Sequence, residues 1–198
     1  LLTIPGPSSF EIAPARRWRA EAAGLVPHVR ADVAGNSYAT LEGSGGPSIM
    51  LAGHIDEIGL IVSHVDEQGY LSFEGIGGWD PQVFGGQRVT SLGREGEVAG
   101  VVGKKAIHLM KPDEREKVSK IDDLWVDIGV TSREEAERHV RIGDAGVLAA
   151  GLVELPAGEG LVGTERRDVG AHHAGQDDRG DLRRRPAPRG RRARRALL

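Results

Sequence analysis

Between residues 58 and 130, glycines cut the chain into short apolar pieces rich in β-branched residues. The pieces at 58–65, 70–73, 87–91, 95–102, 105–110 and 124–130 are too brief for helices of ordinary length. Gln68-Gly69 supplies a turn, and Gly75, Gly77, Gly78, Gly85 and Gly86 surround Trp79 and Phe84. From Gly75 onward this texture, with its pieces at 87–91, 95–102 and 105–110, predicts a small barrel or sandwich, and 58–65, 70–73 and 124–130 read as further strands. The composition agrees: 29 glycines and 4% aromatic residues suit short strands and tight turns better than a helical bundle. At 198 residues the chain can form one large domain or two small ones with a buried core.

Several function classes drop out at once. There is no cysteine, which excludes disulfides, thiolate metal sites and cysteine nucleophiles. Any metal site must use His, Asp and Glu, a donor set that suits zinc, cobalt or manganese. A formal charge of −3 points to no particular partner. No apolar run approaches the roughly 20 residues that span a bilayer, so no membrane association is expected. Residues 1–5 lack a basic segment followed by an apolar core, so no signal peptide is expected there. The first residue is not Met, which leaves room for an upstream start, and a cytoplasmic location is the expectation.

In chain order, Pro5-Gly6-Pro7-Ser8-Ser9 is turn chemistry. Ser8 or Ser9 could cap an amphipathic helix that starts near Phe10-Glu11, is interrupted by Pro14 and closes at Gly24. Gly35-Asn36 predicts a hairpin between strands at 29–33 and 37–41. Residues 111–120 read as an exposed loop or short helix. Thr131-Ser132 followed by Glu134 and Glu135 is a capped helix start, so that carboxylate pair reads as a solvated first turn and not as catalytic. Gly143-Asp144 ends that helix, and an apolar run follows at 145–155.

The candidate chemistry lies elsewhere. The apolar run 48–51 reads as a buried strand that leads into Ala52-Gly53-His54-Ile55-Asp56-Glu57-Ile58-Gly59. In a strand, residues i and i+2 share a face, which places His54 and Asp56 together. A His oriented by a neighbouring carboxylate is a common metal ligand, although the spacing fits a solvated polar strand end equally. Residues 158–180 add Asp168, His172, His173, Asp177 and Asp178. His172 and His173 read as exposed polar residues. From Leu182 the chain is almost entirely Arg, Ala, Pro, Gly and Leu, with eight Arg residues between Arg183 and Arg195. Such an arm could bind nucleic acid, but it has no aromatic to stack on bases, so no nucleic-acid partner is expected.

Taken together and in order, several stretches resemble one family. They are Pro5-Gly6-Pro7-Ser8-Ser9-Phe10-Glu11, Gly35-Asn36, the stretch from Ala52 to Gly59, and Gly77-Gly78-Trp79. Trp125-Val126-Asp127-Ile128-Gly129-Val130-Thr131-Ser132-Arg133-Glu134-Glu135-Ala136 and Arg141-Ile142-Gly143-Asp144 complete the set. The chain resembles the dinuclear-metal aminopeptidases that assemble into tetrahedral particles. Their members carry the names glutamyl, deblocking or leucyl aminopeptidase, and also endoglucanase M or cellulase.

The resemblance implies an α/β fold. A catalytic α/β domain, represented by its N-terminal part at 1–65, is interrupted at 66–151 by a small β-rich, barrel-like domain for substrate access and oligomerisation. The chain returns to the catalytic domain at 152–180 and ends in an aberrant or disordered Arg-rich tail at 181–198. The resemblance also implies two divalent metal ions, zinc or cobalt, bridged by an Asp and a water. His54 would hold one metal, and Asp56 would orient His54. Asp177, in Asp177-Asp178-Arg179-Gly180, best matches the bridging Asp, with Asp168 a poorer alternative. The substrate would be a peptide bound by its free amino terminus and shortened one residue at a time, and the assembly a homo-oligomer, a dodecamer in the family.

The family also uses a Glu-Glu pair, a further Asp and a late His after the bridging Asp, whereas beyond Arg179 this sequence has only Asp181. The expectation is therefore an aminopeptidase that is incomplete and inactive as this chain, its Arg-rich ending resembling an out-of-frame reading of GC-rich codons. A non-catalytic oligomerising β-domain is the alternative. Endoglucanase activity is a third reading, for which the sequence offers no carboxylate pair at an arguable separation.

Overall fold

The structure, a computed structural model, describes residues 1–149, 151–154 and 160–162. It divides into two units, Leu1–Gly46 with Ile55–Arg167, and Pro47–His54 with Asp168–Leu198.

In the first unit six strands close a barrel: β3 (Gly59–Val65), β4 (Leu71–Ile76), β5 (Arg88–Gly93), β6 (Gly96–Lys104), β7 (Leu124–Asp127) and β8 (Ala145–Leu148). Their order around the barrel is β3-β4-β7-β6-β5-β8, and every neighbouring pair is antiparallel. Of the pieces expected to build the barrel, 87–91 and 95–102 become β5 and β6 and 105–110 does not; the strands expected at 58–65, 70–73 and 124–130 join the same barrel as β3, β4 and β7, and β8 comes from the apolar run at 145–155. Strand β4 alternates inward Leu71 and Phe73 with outward Ser72 and Glu74. Strand β3 sends Leu60 and Val62 inward and then Val65, three residues on. A register shift between Val62 and His64 absorbs the extra residue. The interior holds Leu60, Val62, Val65, Leu71, Phe73, Phe84, Val89, Val102, Leu124 and Val126. Phe84 is fully buried, with ring centroids 5.3 Å from Phe73 and 4.4 Å from Trp79.

Helix α3 (Arg133–His139) contributes Ala136, and the residue after it, Val140, joins the same core. Ser132 caps it, its hydroxyl accepting from the Glu135 amide at 3.3 Å. Glu134 pairs with Arg138 one turn on, and Glu135 accepts from the Thr131 amide. The carboxylate pair is thus used at a helix start, as its sequence context predicts.

Residues 105–110 do not form the expected strand. Strand β6 already runs to Lys104, opposite Leu124 at the start of β7, and no further ladder is offered to the chain beyond it. It turns instead into a short 3-10 helix, Ile107–Leu109, and a single helical turn, α2 (Pro112–Arg115).

Ahead of the barrel, α1 (Ile12–Ala23) runs through Pro14 without interruption. Pro14 is the third residue of the helix, where a backbone N–H has no intrahelical acceptor, so its missing donor costs nothing. Neither Ser8 nor Ser9 caps this helix. Glu11 occupies the cap position, and Gly24 closes the other end. Strands β1 (His28–Ala31) and β2 (Ser37–Thr40) form the expected hairpin, joined by five residues and tied to α1 by a hydrogen bond from the Arg19 guanidinium to the Ser37 hydroxyl, 2.8 Å. Strands β9 (Leu152–Glu154) and β10 (Gly160–Val162) pair antiparallel.

In the second unit the described stretch, Pro47–His54, carries no helix or strand. The buried strand expected at 48–51 is not formed: Ile49 and Met50 are 85% and 84% exposed. A strand exists by pairing as well as by residue type, and among the described residues nothing pairs with this one. The fold is mixed α/β with a small closed barrel. Among the described residues no helix is long and apolar enough to cross a membrane.

Candidate functional site

The stretch from Ile55 to Gly59 is short, yet three distant parts of the first unit converge on it. The N-terminal turn comes first. Pro7 forms a parallel bridge with Glu57. The Ser8 amide donates to the Glu57 carbonyl at 3.1 Å, and the Glu57 amide donates to the Gly6 carbonyl at 3.0 Å. The Gly6 amide donates to Glu57 Oε1 at 3.2 Å, and Ser8 Oγ donates to Asp56 Oδ2 at 2.5 Å. Pro14, at the start of α1, lies so close to Gly6 that a Cβ there would sit 2.4 Å from its Cγ. Helix and turn are therefore locked together.

The other two parts belong to the barrel. Gly77 has φ +84° and leaves 2.6 Å between a would-be Cβ and Ile58 Cγ2, while the Trp79 indole N–H donates to the Gly59 carbonyl at 2.6 Å. Gly59 is closed in on two sides: a Cβ would lie 2.5 Å from the Gly146 carbonyl of β8 and 2.6 Å from Pro7 Cβ. The Pro-Gly-Pro-Ser turn, the segment around Asp56 and Gly77-Gly78-Trp79, read one by one along the sequence, are therefore one interlocked structure.

The sequence-predicted residues fall unequally across the molecule. Asp56 is half-buried, inside this knot and held by Ser8. His54 ends the exposed Pro47–His54 stretch of the other unit. Asp177 lies outside the described residues, as do Asp168, His172, His173, Asp178 and the Arg-rich tail. Sequence reasoning missed Ser8, which it placed at a helix cap. The only sequence signal for it is its position in a rigid Pro-Gly-Pro-Ser turn.

The donor set tests how far these residues suit a metal. Oδ2 of Asp56 accepts from a hydroxyl, as carboxylates that orient a ligand and carboxylates that bind an ion both do. Among the described residues no three His, Asp or Glu side chains come close enough together to hold an ion. The described residues alone therefore do not make a metal centre.

Comparison with known proteins adds the wider context. The sequence model of the family described as M42 glutamyl aminopeptidase matches residues 35–165. The lysyl aminopeptidase of Pyrococcus furiosus is 39% identical over 134 residues, which is 66% of this chain and 38% of that protein. Among solved structures, the TET aminopeptidase of a marine-sediment Thaumarchaeota archaeon superposes with a TM-score of 0.73 at 37% identity, covering 79% of this chain and 44% of that one. The Pyrococcus horikoshii TET1 peptidase, which can assemble into a tetrahedron or a large octahedral shell, gives 0.68 at 29% identity, covering 79% and 46%. The chain spans less than half the length of these relatives. With the family match covering most of the barrel and the approach to it, the chain belongs to the M42 glutamyl aminopeptidase family.

Proposed function

We propose that this chain carries the first part of a metal-dependent aminopeptidase that releases N-terminal residues from peptides, and that the 198-residue chain on its own turns over no peptide. His54 and Asp177 are the residues that would hold divalent ions, zinc or cobalt, and Asp56 is the carboxylate that would orient the His54 ring. The observation that supports this reading is the knot around Asp56, which joins two parts of the family-matched segment, 56–59 and 77–79, to the Pro-Gly-Pro-Ser turn far ahead of them in sequence. Five of the six barrel strands, β4 to β8, lie within 66–151, the insertion into the catalytic domain, while β3 comes from the segment just before it, and the compartment is the cytoplasm.

Assay of the full chain on aminoacyl-p-nitroanilides with zinc or cobalt tests both parts. The expected result is negligible turnover with weak metal binding that His54→Ala removes. Turnover abolished by His54→Ala would overturn the inactivity while keeping the site. Metal binding indifferent to His54→Ala would overturn the site.

The closed barrel favours a second reading, a non-catalytic module that joins copies of this chain. It has its own core, and Val101, Ile107, Leu109 and Val118 are exposed on it and its β6–β7 excursion. Size-exclusion chromatography with and without metal tests this: a metal-independent oligomer supports the module, and a monomer under both conditions rejects it.

A further inference from the structure

We propose that Ser8 is the positioning residue for Asp56, fixing the plane of the carboxylate that in turn orients His54. The inference rests on the role given to Asp56 under the proposed function. It goes beyond that role by naming the group on which the carboxylate depends.

Among the described residues, the hydroxyl of Ser8 donates to Asp56. It does not cap α1, whose cap position is Glu11 and has no side-chain cap bond. Its hydrogen bond to Asp56 Oδ2 spans 48 residues of sequence at 2.5 Å. A carboxylate with one oxygen on a fixed donor no longer turns freely about its Cβ–Cγ bond, so its second oxygen has a fixed direction as well.

The donor itself is braced. The amide of Ser8 and the carbonyl of Gly6 are both tied to the backbone of Glu57, Pro7 between them is fully buried, and the Gly6 amide engages the Glu57 side chain. The backbone next to Ser8 is also strained. Ser9 has φ +77°, the one non-glycine residue in the left-handed region among the described residues. An L-residue adopts that conformation at a cost, sustained only where the surroundings enforce it. Here it reverses the chain after Ser8, and Glu11 Oε1 accepts from the Ser9 amide at 2.6 Å. A turn needed only to start a helix would not require a strained serine beside a serine aimed at a carboxylate.

The test reads the tautomer of the His54 ring in the metal-free, 15N-labelled full chain. Long-range proton–nitrogen correlation gives the tautomer ratio, with the His54 signal assigned by His54→Gln. The expected shift for Asp56→Asn is about fivefold toward the ratio of free imidazole, the worth of one hydrogen bond. Ser8→Ala and Ser8→Val should move the ratio the same way by about twofold to fivefold, and Ser8→Thr, which keeps the hydroxyl on the shape of valine, should restore it.

A merely structural serine would change stability and leave the ratio alone. If Asp56→Asn shifts the ratio while folded Ser8→Ala and Ser8→Val do not, the Ser8 proposal fails and the role of Asp56 stands. If Asp56→Asn has no effect, the role of Asp56 fails and the Ser8 proposal falls with it. Amide spectra of the barrel report folding. Should both Ala and Val variants unfold, Ser8→Cys, of similar shape but a weak donor, is read by the same criterion.

Discussion

Strand β3 and the stretch Pro47–His54 are neighbours in sequence and similar in residue type, but they differ completely in burial. Leu60, Val62 and Val65 are at most 2% exposed, while Ile49, Met50 and Leu51 are 65% exposed or more. The difference is one of partners. Strand β3 has β4 on one side and β8 on the other, both supplied from within the next 90 residues of this chain. The 48–51 run has an equally good strand sequence, and among the described residues it has no strand to pair with. Apolar patterning specifies what a segment can become, and the ladder decides whether it does.

The comparison breaks most readily in the core. Phe84 is fully enclosed against Phe73 and Trp79, and Phe84→Ala should cost about 3–5 kcal/mol, by lost transfer energy plus the cavity left behind. Met50→Ala, at a position 84% exposed, should stay within about 0.5 kcal/mol. Urea titration followed by tryptophan fluorescence measures both. A cost above about 1 kcal/mol for Met50→Ala would mean that the run is covered after all, and the contrast would be lost.

Glycines sharpen the same contrast on a smaller scale. A methyl group at Gly59 would meet the Gly146 carbonyl at 2.5 Å and Pro7 at 2.6 Å, both part of rigid backbone or ring, so Gly59→Ala should cost about 1–3 kcal/mol. Gly53, six residues earlier, has nothing within 4 Å of such a methyl among the described residues, and Gly53→Ala should be neutral within about 0.5 kcal/mol. Thermal melts of the two variants give the comparison directly. Equal shifts would show that the knot around Asp56 yields more easily than its distances indicate.

Much of this was legible in the sequence, and the reasons differ by residue. The barrel strands were visible because Leu71 to Glu74 alternate and glycines mark the turns between them. The bulge that re-phases Val65 was not, because a single added residue in β3 leaves the composition unchanged. Closure, which sets Leu60 against Gly146, depends on a pairing across 86 residues that no local pattern announces. His54 and Asp56 were singled out by their spacing, a local property, together with the ordered motifs around them. Ser8 was missed because its partner is 48 residues away, and because serine before a helix reads first as a cap. Pro14 misled in the opposite direction: its effect on a helix depends on its position in the first turn, which the sequence did not fix.

The smallest expected effect concerns the β1–β2 hairpin, which stands between the two extremes because it supplies its own partner. Its loop is organised by Asp32. The Asn36 side-chain amide, donating at 2.8 Å, is the main cause that holds the Asp32 carboxyl below the ordinary value of 3.8; desolvation opposes it, and the Tyr38 hydroxyl and the Asn36 and Ala34 amides add to the lowering. A carboxyl with a depressed folded value contributes order that is complete above the unfolded value and is lost as pH falls through the folded one. The hydrogen bond that the Tyr38 hydroxyl donates to Asp32, 2.9 Å, raises Tyr38 above 10.0, so its contribution is complete below that value and is lost as pH rises through the folded one. The loop is exposed, so the change will register in local chemical shifts more than in global stability. The Ala34 and Asn36 amide signals should therefore be flat from about pH 5 to pH 9 and move together with a midpoint below 3.8 on acidification. Asn36→Ala should raise that midpoint. A midpoint at or above 3.8 in the unmodified chain would show that the loop is not held by Asp32. The hairpin would then depend on its surroundings as the 48–51 run does, and would no longer be a self-sufficient pair.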